Sequence, residues 1–177
     1  MRNKLLLILI CITPFLSQAQ VKAIIGNDIV SLKTFTTVLS DAVKAEKIDD
    51  YFNPLGYKFT DKKKISVQGT PGILFSYIGD QSSFKVSVVK HLKLAVLYET
   101  VNADQFQSIL TEIQKTAGYK MVDHSESAVI GLLVTVTYAN IDYVVVFRTM
   151  RTVSGMLYVI ATQSKVNNLV VNGDNNY

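Results

Sequence analysis

The chain has 177 residues, 49% of them apolar and 18% charged, with a formal net charge of +4. That is enough to build one domain with a true core, and the composition is not that of a disordered chain. The single cysteine, Cys11, sits in the N-terminal leader, so the rest of the chain has no disulfide, no thiol nucleophile and no thiolate metal ligand.

The leader reads as a secretion signal. Arg2 and Lys4 form a short positive region, Leu5 to Ile12 an apolar one broken at Pro14, and Ser17 and Ala19 supply small residues for signal peptidase. The expected signal is residues 1–19, with cleavage after Ala19 and a mature chain starting at Gln20. The apolar run is shorter than the about 20 residues of a membrane span, and Ile10 before Cys11 argues against lipidation. Without the leader, 18 − 2 = 16 basic residues face 14 acidic ones, a net charge near +2. The expected location is secreted or periplasmic, in a bacterium, with no stable membrane span. Nucleic acid is not an expected partner, because a basic stripe is missing. The one lysine run, Lys62-Lys63-Lys64, reads as a solvated turn.

Leu32, Phe35, Leu39 and Ala42 recur at helical spacing and predict a helix over 31–43. A second helical stretch includes Ile48, Tyr51 and Phe52 and stops at Asn53-Pro54. Gly56-Tyr57-Lys58-Phe59 opens a strand, followed by strand-like runs at 72–78, 84–90 and 94–98, with a turn at 79–83. The order then restarts. Asn102 caps a helix with Gln105 at the capping-box position, and Phe106, Ile109, Leu110 and Ile113 form its apolar face. Gly118-Tyr119-Lys120-Met121 opens a strand, followed by runs at 132–138, 143–147 and 156–161.

The fold class expected is therefore α+β: two tandem helix-plus-antiparallel-meander repeats, with the helices packed on one face of the sheet. Gly56, Tyr57, Lys58 and Asp61 match Gly118, Tyr119, Lys120 and Asp123 at an offset of 62 residues, and Leu94-Ala95-Val96 falls on Met156-Leu157-Tyr158. One domain is expected over 20–166, with halves at about 28–100 and 101–163. The asparagine-rich segment 167–177 reads as a flexible tail.

Strand alternation separates two faces. Phe84, Val86, Val88, Val134, Val136, Tyr138, Tyr143, Val145 and Phe147 belong beneath the helices. Lys85, Ser87, Thr135, Thr137 and Arg148 fall on the other side and are the candidate partner-binding residues, expected to be exposed together. Val89, Leu97, Val144 and Val146 share that side, and are too apolar for a face that is simply wet. Either another part of the chain covers it, or it receives a partner.

Chemistry is thinly supplied. His91 reads as an exposed hairpin residue. Asp123-His124-Ser125-Glu126 reads as a polar turn, since neighbours on a strand cannot converge into a charge relay. Two histidines plus a stray Glu99 are a thin supply for a zinc site. Asp49-Asp50 is explained by charge pairing with Lys44 and Lys47 on a helix. No phosphate-loop, dinucleotide, nucleophile-elbow or zincin motif occurs. The reading is a non-catalytic exported module with no catalytic residue, no metal and no cofactor, whose partner is another exported or envelope protein. The alternatives are a carrier of a small apolar ligand held between helix and sheet, and a hydrolase.

Overall fold

The computed structural model describes residues 30–127 and 132–167. The leader with its cleavage site, the start of the mature chain and the tail from residue 168 on lie outside the described residues. Among the described residues the α-helices are α1 (Leu32–Leu39), α2 (Ile48–Phe52) and α3 (Ala103–Lys115), with helical backbone again at 165–167. Eight strands follow in two runs: β1 (Lys58–Val67), β2 (Thr70–Ile78), β3 (Ser82–Val89) and β4 (Leu92–Thr100), then β5 (Lys120–Glu126), β6 (Leu132–Ala139), β7 (Tyr143–Thr152) and β8 (Gly155–Ser164). The protein is an α+β fold built on one antiparallel sheet of order β1-β2-β3-β4-β8-β7-β6-β5. Each run of four is a meander, and the two meet where β4 pairs with β8.

The first helix is shorter than its apolar spacing predicts. The Ser40 hydroxyl donates to Thr37 O at 2.8 Å and accepts from Ala42 N at 3.3 Å, a local bonding pattern that competes with helix continuation. Ala42 is thus exposed, and Val38 takes the buried place expected of it. At the other end Leu32 N donates to the Glu112 carboxylate of α3 at 2.8 Å, tying the two helices together. Asn102 caps α3 as expected, accepting from Gln105 N at 3.0 Å. The reciprocal half of the capping box is absent: the Gln105 side chain donates to Val30 O at 2.6 Å instead.

Cross-strand pairing sorts the faces. One row runs Phe59–Tyr77–Phe84–Tyr98–Ile160–Phe147–Val136–His124. Its middle members lie beneath the helices, with Phe84, Tyr98, Ile160 and Phe147 all at most 1% exposed. Phe52 stacks on Phe84 and Tyr77 at 4.7 and 4.6 Å between ring centres, and Phe35 approaches Phe84 and Tyr98 at 5.9 and 5.8 Å. Such aromatic contacts contribute about 0.5–1.5 kcal/mol each beyond the area they bury. They also fill the space between helix and sheet.

Two readings of polar segments are corrected. Lys62-Lys63-Lys64 is not in a turn; it lies within β1, with the Lys62 ammonium 5.5 Å from the Phe75 ring centre. Asp123 to Glu126 is likewise strand, the latter part of β5. Both are the edge strands of the sheet, exposed along most or all of their length. Charged side chains on an edge keep its unpaired backbone from recruiting other strands, so an edge strand can have the composition of a turn.

Candidate functional site: the helix-free face of the sheet

Helices α1, α2 and α3 pack on the face carrying Phe84 and Phe147. The opposite face is built from the alternate residues of the same strands. Its central row is Asp61–Ser76–Lys85–Leu97–Ala161–Val146–Thr137–Asp123, with a carboxylate on each edge strand. One step along lies Ser83–Glu99–Val159–Arg148–Thr135–Ser125, and one step the other way Ser87–Ala95–Gln163–Val144–Ala139. The register thus places Lys85, Ser87, Thr135, Thr137 and Arg148 on one common face, away from the helices.

They are not exposed there as expected. Thr135 is 9% exposed, and Lys85, Ser87, Thr137 and Arg148 are half-buried. The reason lies in the sheet itself. Each interior position is flanked on both sides by a cross-strand neighbour: Thr135 lies between Arg148 and Ser125, and Ala161 between Leu97 and Val146. The longer side chains shield the smaller ones, so Ala95, Val159 and Ala161 are all buried. Toward the β3–β4 hairpin the face closes over a small second core of Val89 and Leu94 with Val67 and Leu92 against it. There Val89 is covered from within the chain, whereas Leu97, Val144 and Val146 remain half-buried.

The two candidate cations differ. The Lys85 ammonium is paired with Glu99 at 2.8 Å, and the same carboxylate accepts from Ser83 at 3.2 Å. Glu99 was weighed from the sequence only as a stray metal ligand and was not placed on this face, although its position two residues from Leu97 on β4 is the signal that could have done so. Arg148 has no ion pair or hydrogen bond among the described residues. Burial alone pulls its guanidinium below the ordinary arginine value, with no carboxylate opposing that shift.

The other polar residues considered fall elsewhere. His91 occupies the hairpin turn as expected, and both turn residues, Lys90 and His91, have positive φ, 48° and 66°. His91 lies on a cavity of about 270 Å³ that Asp41, Glu46, Lys93 and Asn167 also line. The buried Lys93 ammonium there is spent on structure, donating to Ser40 O and Val43 O beyond the end of α1. Burial pulls its pKa down, against the Asp41 and Glu46 carboxylates. His124 lies on the helix side of edge strand β5, 3.6 Å from Glu126. Of the acidic pair, Asp50 meets Lys47 at 3.2 Å as charge pairing predicts, whereas Asp49 accepts from the Tyr77 hydroxyl at 2.5 Å. Among the described residues no three His, Asp or Glu side chains are grouped to hold a metal ion, and no helix is long and apolar enough to cross a membrane.

Among the described residues, fold and face together define an α+β protein with one eight-stranded antiparallel sheet, α1 to α3 on one side and a mixed polar and apolar surface on the other. No protein-family model and no curated protein matches the chain. Among solved structures it is similar to MucB in a crystal structure with MucA(peri), at 14% identity and a TM-score of 0.26. That alignment covers 67% of this chain and 66%, just under two thirds, of the other. A structure of the Pseudomonas aeruginosa MucA/MucB complex aligns at 14% identity and TM-score 0.26, over 71% and 68% of the two chains. Likeness at this level carries no argument about function.

Proposed function

We propose that the protein is an exported, non-catalytic module that binds a protein partner on the helix-free face of its sheet. One observation carries this reading: among the described residues α1, α2 and α3 pack on one face, while the other keeps half-buried Leu97, Val144 and Val146 beside polar Thr137 and Arg148. A face meant only for water would be more polar, and one meant only for the core would lack the arginine. The rival reading as a carrier is less well supported, because Phe35, Phe52, Phe84 and Tyr98 meet in ring contacts in the described helix–sheet layer. The expected export and periplasmic or secreted location rest on residues 1–19.

The same proposal includes an origin in two copies of one helix-plus-meander unit. Several matched features support it. Gly56 and Gly118, which precede the two tyrosines, both have positive φ, 86° and 92°. Each following strand then carries a one-residue bulge, at Thr60 and Val122, again 62 residues apart. Just before each bulge the strand pairs with a tyrosine, Tyr77 or Tyr138, whose hydroxyl is bonded to a helix residue, Asp49 or Gln114.

The test of the binding reading is charge reversal on the face. Lys85→Glu with Arg148→Glu is expected to abolish retention of envelope proteins on the immobilised mature chain. Lys85→Glu also sets a carboxylate beside Glu99, so the melting temperature is read alongside, and Lys85→Gln with Arg148→Gln removes both cations without that repulsion. Undiminished retention by the folded double variant would refute the assignment of this face.

A further inference from the structure

We propose that Arg148 is a carboxylate anchor: it receives an aspartate or glutamate side chain of the protein partner, assisted by the hydroxyls of Thr135 and Ser125. This rests on the reading of the helix-free face as the binding surface, and adds what that surface recognises.

The argument begins with charge. On the six interior strands β2, β3, β4, β8, β7 and β6, the charged residues in the register of this face are Lys85, Glu99 and Arg148. Lys85 and Glu99 neutralise one another at 2.8 Å. That leaves one net positive charge on the interior strands, on Arg148. The nearest carboxylate in the register of β5 is Asp123, opposite Thr137 and one row along from Arg148, and it makes no ion pair with the guanidinium. Chains normally pair or hydrate such a group, because a desolvated charge without a counter-charge opposes folding. Other buried or half-buried cations of this chain are paired with acceptors: Lys93 with Ser40 O and Val43 O, and Lys165 with Asn140 O at 2.5 Å. Arg148 stands apart from that pattern among the described residues.

The surroundings select the ligand. Thr135 lies directly opposite Arg148 on β6, and Ser125 directly opposite Thr135 on β5. Neither hydroxyl has a hydrogen-bond partner among the described residues. Guanidinium and hydroxyls thus form a line of donors across three strands, and Val159 on β8 bounds it with an apolar wall. A guanidinium presents parallel N–H donors that match the two oxygens of a carboxylate, and low local polarity strengthens that bond. One cation beside two hydroxyls suits a singly charged carboxylate. The apolar residues around it suit the rest of a protein surface, so the occupant proposed is an acidic side chain of a partner.

The experiment follows the Arg148 Nε–Hε resonance of the mature chain by NMR during titration with the acidic peptide N-acetyl-(Glu-Thr)3-amide. The expected result is a saturable shift that (Lys-Thr)3 does not produce. Arg148→Gln should weaken binding about tenfold or more, the loss of a charge-assisted hydrogen bond, with the melting temperature retained. An unmoved resonance, or equal affinity in Arg148→Gln, would overturn the anchor. Sodium sulfate at matched ionic strength producing the same shift would reassign the site to a free anion. Binding that emerges only after truncation beyond Asn167 would reassign it to the chain's own tail. A partner that crosslinks to Thr137 whatever residue stands at 148 would leave the binding face intact and remove only the anchor.

Discussion

Phe147 and Arg148 are adjacent in sequence and point to opposite faces, so truncating each reads out a different environment. Phe147 is 1% exposed, 5.6 Å from Phe106 and 6.0 Å from Tyr138 between ring centres. Phe147→Ala is expected to cost about 3–5 kcal/mol, because the ring's contacts are lost and the cavity cannot fully collapse. Arg148→Gln should leave stability unchanged or raise it, since it removes a half-buried charge that nothing among the described residues compensates. Paired denaturant titrations check both. A loss at Arg148→Gln approaching that at Phe147→Ala would show the arginine to be structural.

At the scale of elements, local sequence opposes local geometry at Gln68 in the β1–β2 turn, with φ of 49°, and more strongly at the β3–β4 hairpin. A two-residue turn with positive φ at both positions favours Asn-Gly, and this one uses Lys90-His91 at 48° and 66°. Left-handed backbone costs an ordinary residue roughly 1–2 kcal/mol. Lys90→Asn with His91→Gly is therefore expected to stabilise the protein by about 1 kcal/mol after the glycine's entropic cost, measured as a higher denaturation midpoint. A lower midpoint would mean that the Lys90 or His91 side chain contributes more than the strain removes. The helices and strands themselves were legible because alternation at 84–88 and 143–147 and helical spacing at 106–113 are dictated by burial on one face. Of the edge strands only the openings, Lys58-Phe59 and Lys120-Met121, were legible: Lys62 to Lys64 and Asp123 to Glu126 bury little, so no alternation marks them. The Lys85–Glu99 pair was missed because it joins β3 to β4, and which polar residues meet is settled by register rather than by composition.

For the molecule as a whole, the tyrosines set a limit on stability at high pH. Burial pushes the Tyr77 hydroxyl well above the ordinary tyrosine value, reinforced by the hydrogen bond to Asp49 and by its charge. Burial raises Tyr119 to about 12, helped by Tyr143 and Asp142, and raises Tyr51 and Tyr143 as well. With folded pKa values above the unfolded one, these groups contribute fully below about pH 10, and that contribution is lost as pH rises further. The unfolded chain then holds fewer protons than the folded one, so the slope of stability against pH is negative. Denaturant titrations between pH 9 and pH 12 should show a falling midpoint, with a shallower fall in Tyr77→Phe. An equal slope in that variant would exclude Tyr77 as a contributor.

The division into a helix-packed face and a binding face is tested most directly by site-specific photocrosslinking in the cell that makes the protein. A photoreactive residue at Thr137, on β6 in the central row of the helix-free face, is compared with one at Ser108, on the exposed side of α3. The account predicts a discrete adduct with a protein partner from position 137 and none from 108. Adducts from 108 alone would contradict it and move the interaction to the helices.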